Sequence, residues 1–218
     1  MASNADLYLS GIEPKVKVLP MVYFGILDHF SRRSIRDARV IGTLLGTEVG
    51  GVTEITNYFP VPHVESVDQV AVDMEYHRTM FELHRQVNSK EVIVGWYATG
   101  SEITEYSVLI HDFYSRQCDL PVHLCLDTEV SDGRIAISAY IGAPMGVPEQ
   151  TVGKLFTPIE VSTLYYEPER VGLQALVNTL ETGDNASDIQ TDMERIAASV
   201  ESLDEILTLC VQYVDKVL

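Results

Sequence analysis

The C-terminal part of the sequence repeats apolar residues at alternating steps of four and three positions. The repeat consists of Ile189, Met193, Ile196, Val200, Leu203, Leu207, Cys210, Val214 and Val217. This spacing is the a/d pattern of a helix that packs along another helix. We therefore predict an amphipathic helix over residues 187–218 and call its apolar stripe the heptad seam. Residues 181–186 before it are polar and predict a linker, and Ser187 with Gln190 predicts a capping box.

The heptad seam predicts a neighbouring helix. Packing back onto the same chain is one interpretation, and pairing with another subunit is the interpretation that we favour. From residue 181 onward the segment holds nine acidic and two basic residues, a net charge of −7, so its polar face is solvated or meets a basic partner. The seam still runs at Leu218 without a Gly or Asn cap, which predicts a longer helical region.

Residues 15–180 alternate predicted hairpins with inserted helices. Strands are predicted over residues 15–19, 39–47, 52–61, 91–97, 122–127, 134–141 and 155–165. Helices are predicted over residues 20–33, 70–87, 102–116 and 168–180. This mixed order predicts an α+β domain with one curved mixed β-sheet flanked by helices and followed by the long C-terminal helix. Residues 1–14 are expected to be a disordered lead-in.

Composition narrows the classes of function. The 218 residues are 46% apolar, enough for one domain with an appendage, and the formal charge of −17 disfavours direct contact with nucleic acid. The three cysteines form no CxxC pair, so reduced thiols in the cytoplasm or nucleus are expected rather than disulfides. No apolar run approaches the roughly 20 residues of a membrane-spanning helix, and the N-terminus does not resemble a secretory signal.

Three segments together resemble a known domain family. They are Arg39–Gly46 (RVIGTLLG), Gly95–Gly100 (GWYATG) and Ile103–His111 (ITEYSVLIH). In this order they are similar to the MPN (Mov34/JAMM) domain. Further segments are similar to the MPN members found in eukaryotic translation initiation factor 3, namely residues 70–75, 121–128, 145–148 and 156–158. The resemblance covers residues 16–180 and implies the α+β fold that the element order predicts.

The resemblance also allows the family's catalytic pattern to be compared residue by residue. Active members are zinc isopeptidases, in which a glutamate is the general base and a His-x-His pair with a later aspartate holds the metal. In this chain Arg39 stands at the glutamate position, and Ala98 and Gly100 stand at the two histidine positions. The aspartate position falls on His111, or on Ile110 if one residue is gapped.

At most one of the three zinc ligands is therefore retained. The protonated guanidinium of Arg39 cannot accept a proton, and its charge opposes a divalent cation. The resemblance implies a non-catalytic protein with no cofactor. The alternative is a deubiquitinating isopeptidase with an unusual site.

Two unusual sites are conceivable from the sequence. His63, His111 and His123 are candidates for a different metal site, but their unpaired spacing is more typical of ordinary polar residues. Cys125 follows His123 by two residues on a predicted strand, so both side chains point to the same face. A core position is the more common situation for a free cysteine, and we predict that role for Cys125.

The resemblance further implies protein partners. MPN relatives pair through helices like the one predicted over residues 70–87. Its two rows predict burial on two sides of the helix: Tyr76, Met80, Leu83 and Val87, and Met74, His77, Phe81 and His84. Its second row gives Met74 and Phe81 as predicted contacts with a second MPN subunit, the h subunit of initiation factor 3, unless both belong to the core.

The implied role is a cytoplasmic scaffold of initiation factor 3. Its heptad seam would lie among helical-bundle neighbours, and it would reach the small ribosomal subunit through the complex. The non-catalytic MPN subunits of the proteasome lid and of the COP9 signalosome are alternatives in the same class.

Overall fold

The computed structural model describes residues 14–34, 37–66, 69–100, 103–129, 135–147, 150–182 and 192–217. The strands are β1 (Lys15–Val18), β2 (Ile41–Val49), β3 (Val52–Pro60), β4 (His63–Ser66), β5 (Gln69–Val72), β6 (Val92–Thr99), β7 (Val122–Leu126), β8 (Ile137–Val147) and β9 (Gln150–Thr163). The helices are α1 (Pro20–Ser31), α2 (Met74–Val87), α3 (Glu105–Tyr114), α4 (Glu167–Thr182) and α5 (Asp192–Val217). The α+β class and the C-terminal helix are confirmed.

Seven strands form one mixed sheet that closes into a barrel in the order β1-β3-β2-β6-β7-β8-β9. The short strand β1 closes the barrel because it pairs in parallel with β3 on one side and with β9 on the other. Strands β6 and β7 are also parallel, and the remaining neighbours are antiparallel. The predicted single curved mixed sheet is confirmed, and its curvature extends to closure. Strands β4 and β5 form a separate two-stranded hairpin.

Two apolar clusters fill the domain. The first lies between the barrel strands and α1, and it includes Val22, Ile26 and Tyr97. The second lies beneath α2 and α3, and it includes Trp96 and Tyr114, both almost fully buried. Because β6 contributes to both clusters, its residues face apolar surroundings on each side of the sheet, as its continuous apolar run predicts.

The predicted helix over residues 70–87 is wrong in its first four residues. Gln69–Val72 is strand β5, which pairs antiparallel with β4. Helix α2 begins only at Met74, because the carboxylate of Asp73 accepts a hydrogen bond from the backbone N–H of Tyr76 at 2.9 Å and caps the helix. The Val-Ala-Val segment before Asp73 is a short apolar run, and periodicity alone does not assign such a run to a helix or to a strand.

The two predicted rows of α2 are buried unequally. Leu83 and Val87 are 51% and 88% exposed. The buried residue is His77, 4% exposed, whose imidazole lies among the rings of Phe59, Phe113 and Tyr114 at centroid distances of 5.2–5.8 Å. Met80 packs beside it against the second cluster. An aromatic box around a histidine therefore sets the orientation of this helix, and a hydrophobicity pattern does not reveal such a box.

Helix α3 is shorter than predicted and presents a different face to the core. Its fully buried residues are Ser107, Ile110, His111 and Tyr114. The apolar residues at helical spacing in this segment are Ile103, Tyr106, Ile110 and Phe113, and of these only Ile110 is fully buried. Two of the buried residues, Ser107 and His111, are polar. The periodicity of apolar residues therefore predicts that the neighbouring face of α3 is buried.

The chain divides into two compact units, residues 1–165 and 166–218. Helix α4 belongs to the second unit, whereas the predicted domain boundary at residue 180 assigns it to the first. Glu181 and Thr182 extend α4 into the predicted linker. The predicted lead-in before residue 14, the capping box at Ser187 and the first seam residue Ile189 lie outside the described residues. Among the described helices, none is both long and apolar enough to cross a membrane.

The close contact between β6 and β7 at Gly95 predicts that a substitution there by alanine strongly destabilises the fold. A Cβ atom at Gly95 would lie 2.0 Å from the carbonyl oxygen of Val122 and 2.7 Å from its backbone nitrogen. Since backbone atoms cannot rotate away, Gly95→Ala is expected to lower the free energy of unfolding by about 2 kcal/mol in urea denaturation. The matched control is Gly153→Ala in β9, where a Cβ would meet nothing within 4 Å. Equal stability of the two variants would contradict the prediction.

Candidate functional site

The resemblance predicts four positions that would correspond to the metal and base positions of active MPN relatives, and we call them the JAMM-equivalent positions: Arg39, Ala98, Gly100 and His111. The barrel brings the first three to one end of the sheet. Ala98 on β6 pairs with Ile41 on β2. The backbone N–H of Thr99 donates to the carbonyl of Val40 at 3.1 Å.

Thr99 contributes a second bond at the same place. Its hydroxyl accepts from the backbone N–H of Val40 at 2.9 Å, so the residue that follows Arg39 is held from both sides. The N–H of Gly100 donates to Leu126 at 2.9 Å, which ties the end of β6 to β7. Arg39 itself lies before β2 rather than on it, although the sequence predicts a strand from residue 39.

Gly100 adopts a backbone conformation that side-chain-bearing residues rarely adopt. Its φ angle is +121°, in the region that favours glycine. A histidine at this position would be strained in this backbone, which is a geometric difference from a chain that carries His-x-His here.

Arg39 is engaged by a glutamate from the β4–β5 hairpin. Its Nε donates to Oε1 of Glu65 at 2.8 Å, and its Nη2 lies 2.6 Å from the same oxygen. The side chains are only 11% and 22% exposed. An ion pair this far from water is little screened by salt, and removing one partner leaves the other charge poorly solvated.

The third contact of Arg39 is at the beginning of α3. Its Nη1 donates to the hydroxyl of Ser107 at 3.4 Å. The same hydroxyl accepts from the backbone N–H of Thr104 at 3.2 Å and so caps α3. Arg39 therefore connects β2, the β4–β5 hairpin and α3.

His111 is fully buried. Its Nδ1 accepts a hydrogen bond from the indole N–H of Trp96 at 3.3 Å, which assigns the proton to Nε2. A Cβ at Gly142 would lie 2.3 Å from Nε2, so the backbone of β8 closes that side. Burial, followed by the charge of Lys154, lowers the pKa of His111 to about 4 and keeps it neutral at pH 7.

His123 and Cys125 form a buried pair on β7, on the same face as their spacing predicts. The thiol lies 3.1 Å from Nε2 of His123, whose ring stacks on Trp96 at 3.7 Å. Burial lowers the pKa of His123 to about 3 and raises the pKa of Cys125 to about 11. A neutral thiol beside a neutral imidazole is not an activated nucleophile.

The third candidate histidine, His63, lies on β4 with its Nε2 3.8 Å from Oε1 of Glu65. Burial lowers its pKa, while the charge of Glu65 acts in the opposite direction. Within the part of the chain that the structure describes, no group of three His, Cys, Asp or Glu side chains could hold a metal ion.

The predicted partner-binding residues lie in two different settings. On α2, Met74 is 50% exposed, whereas Phe81 is half-buried against the second cluster. On α5, the described seam residues are 51–61% exposed, namely Ile196, Val200, Leu203, Leu207 and Val214. The side chain of Met193 and the whole of Ile189 are outside the described part.

Glu65 is the residue of this site that the sequence does not reveal. A buried arginine needs an anionic partner. The residues near Arg39 in the sequence do not show which carboxylate forms this ion pair. The alternation of His63, Val64 and Glu65 is the available signal, since it predicts a short strand with both polar residues on one face.

Comparisons with known proteins identify the family of the chain. Residues 13–119 match the model of the JAB1/Mov34/MPN/PAD-1 ubiquitin protease family. The F subunit of eukaryotic translation initiation factor 3 in Bombyx mori is 46% identical over 192 residues, 87% of this chain and 66% of that protein. The F-1 subunit of the same factor in Drosophila mojavensis is 43% identical, over 96% of this chain and 76% of its own length. The F subunit in Aedes aegypti is 46% identical, over 93% and 72%.

The chain thus spans about two thirds to three quarters of the length of these relatives. The closed mixed barrel and the family match define an MPN-domain protein. Within that class, the chain belongs to the family of the F subunits of eukaryotic translation initiation factor 3.

Proposed function

We propose that this protein is a non-catalytic scaffold subunit of eukaryotic translation initiation factor 3, acting in the cytoplasm. It supports assembly of the complex and initiation on the small ribosomal subunit. The relatives' names support the complex, and the chemistry of the JAMM-equivalent positions supports the absence of catalysis. Contact with the ribosome is proposed to run through the complex, because a net charge of −17 disfavours direct binding to RNA.

The observation that carries the non-catalytic role is the ion pair of Arg39. A permanent cation, already paired with Glu65, stands where the general base would be needed. Ala98 offers a methyl group, and Gly100 offers no side chain in a backbone that disfavours one. The remaining candidate, His111, uses its acceptor nitrogen on Trp96. These residues do not fit a zinc ion, so we expect no zinc-dependent hydrolysis.

Metal analysis together with a cleavage assay tests this role. The purified protein is expected to contain no stoichiometric zinc and to leave diubiquitin intact, while an active MPN isopeptidase carried through the same purification retains zinc and cleaves. Bound zinc combined with chelator-sensitive cleavage would instead establish the isopeptidase alternative. A pull-down from cell extract that recovers proteasome-lid or signalosome subunits would instead assign the protein to one of those complexes.

The exposed face of α5 supports assembly through helices. Beyond the seam, Ile206, Leu209, Val211 and Tyr213 are also 56–69% exposed. Together with the seam they widen the apolar surface in the C-terminal half of α5 beyond what one neighbouring helix covers. We infer that more than one helix of other subunits packs against the apolar surface of this half, which leaves the polar face with Thr208 and Gln212 free.

Helix α2 is the proposed contact with a second MPN subunit, the h subunit. Met74 is exposed and available for that contact. Phe81 is proposed as a contact of the same helix, although its packing against the second cluster also gives it a role in the core.

A further inference from the structure

The N-terminal half of α5 has a narrower apolar surface than the C-terminal half. Its described seam residues, Ile196, Val200 and Leu203, are 58–61% exposed. A seam of this width fits one neighbouring helix. On one side of it lie Glu201 and Asp204, both exposed, and we call these two residues the acidic flank. Asp204 directly follows a d position of the seam, where a side chain borders the neighbouring helix.

The acidic flank has no cation of its own helix to pair with. In the sequence, no lysine or arginine stands three or four positions from Glu201 or Asp204, the spacing at which side chains of one helix meet. The two carboxylates are themselves three positions apart, and like charges at this spacing destabilise a helix. By contrast, α2 pairs Arg78 with Glu82 at 3.1 Å, and α4 has a similar pair of an arginine and a glutamate. The free α5 therefore carries an uncompensated charge repulsion beside its seam.

The acidic flank occupies one side of the seam and one half of the helix. On the opposite side, Ile206 and Tyr213 are apolar and 56% and 69% exposed. On the same side, the C-terminal half continues with Val211, which is also apolar and exposed. Charges that border a seam set which helix can pair with it and in which orientation. An acidic border favours a helix with lysine or arginine and disfavours a helix with an acidic border.

We propose that the N-terminal half of α5 packs against one helix of another subunit, and that lysine or arginine borders the apolar stripe of that helix opposite Glu201 and Asp204. This inference rests on the proposed assembly through α5 and adds the chemistry of the partner. In the complex, each carboxylate meets a cation, and the repulsion within the free helix is relieved. The acidic flank thus selects the partner, while the seam supplies the apolar contact.

A neutral variant of equal shape tests the charge of the partner. Glu201→Gln/Asp204→Asn removes the repulsion within α5, so the helix content of the free protein should stay equal or rise in circular dichroism. Its affinity for the remaining subunits of initiation factor 3, assembled without this protein, should nevertheless fall at least about fivefold at about 0.1 M salt. This difference from the wild-type protein should shrink at about 0.5 M salt, because salt screens exposed ion pairs.

Two further variants separate the local charge of the flank from the net charge of the protein. Glu201→Lys/Asp204→Lys places like charges opposite the proposed cations and should weaken binding at least about 30-fold. Asp119→Asn/Glu129→Gln changes the net charge as the neutral variant does, but at exposed positions of the first compact unit. This control should bind as the wild-type protein does.

Unchanged affinity of the neutral variant would overturn the proposal. Equal or tighter binding of the lysine variant, or an equal loss of affinity in the control, would overturn it as well. The proposed function is tested separately by Val200→Asp/Leu207→Asp, which changes the seam. Loss of assembly in that variant, together with full binding of the neutral variant, would leave α5 as an assembly helix with a solvated flank. Normal assembly of both would contradict the role of α5 in assembly itself.

Discussion

Lowering the pH from 7.5 to 5.5 is expected to raise the unfolding equilibrium constant of this protein at least about 100-fold. The effect comes from His111 and His123, whose pKa values burial lowers from 6.5 to about 4 and about 3. In the unfolded chain both imidazoles take up protons as the pH falls through 6.5, while the folded chain keeps them neutral. Each histidine therefore contributes about tenfold over this range.

The direction follows from which state binds more protons. Stability is fully present above pH 6.5 and falls as the pH falls towards the folded pKa values. Burial also lowers the pKa values of His77, His63 and His29, so they act in the same direction. The chosen range stays above the isoelectric point near 4.6, where the protein has little net charge.

Urea denaturation at several pH values measures the effect, and His123→Phe is the variant that assigns it. Phenylalanine can stack on Trp96 as His123 does, but it does not titrate. In that variant, the rise in the unfolding equilibrium constant between pH 7.5 and pH 5.5 is expected to be about tenfold smaller than in the wild-type protein. This holds whatever the stability of the variant at pH 7.5. An unfolding constant that changes less than about threefold in the wild-type protein would contradict the assignment of neutral buried histidines.

The sequence predicts most strands of the barrel and not its closure. The hairpin of β2 and β3 follows from Gly50-Gly51 between two apolar runs, and both glycines adopt positive φ. Closure depends on β1, which pairs with the distant strand β9 from Lys15 opposite Glu160 to Val18 opposite Thr163. A four-residue strand carries no local signal for a partner that far along the chain.

The JAMM-equivalent positions follow from the ordered motifs, but their contacts do not. The sequence identifies Arg39 as a cation at the position of the general base. It does not identify Glu65 as its partner, because Glu65 lies on the β4–β5 hairpin and the second strand of that hairpin is predicted as part of a helix. Residues 70–72 are a short apolar run that is compatible with a helix and with a strand. Tertiary contacts decide between the two: Val72 packs on the second cluster, and Asp73 caps the helix that follows.

The buried polar residues were the least predictable. His77 and His111 lie at positions where a periodic pattern expects apolar side chains, and each is nearly inaccessible. Their environment is made by rings from several elements: Phe59 and Phe113 around His77, and Trp96 beside His111. Sequence periodicity detects burial only when the buried residue is apolar.

Placing two charges in the heptad seam is expected to abolish incorporation of this protein into initiation factor 3. Val200 and Leu207 lie one heptad apart on the exposed stripe of α5, at 60% and 57% exposure. In an assembled helix bundle both would be surrounded by apolar side chains, where an unpaired carboxylate is strongly unfavourable. The double variant Val200→Asp/Leu207→Asp should weaken binding to the other subunits more than about 100-fold in co-purification and titration.

The matched control carries the same charges on the opposite face of α5. Thr208→Asp/Gln212→Asp changes two exposed residues outside the apolar surface, so it has the same net charge and nearly the same cost in helix propensity. Circular dichroism should show equal helix content in the two variants. If both assemble as the unmodified protein does, α5 does not bind through its seam. If both fail equally, charge rather than the apolar stripe governs assembly. Loss confined to the seam variant is the result that the exposed stripe predicts, because only that variant places carboxylates where neighbouring helices pack.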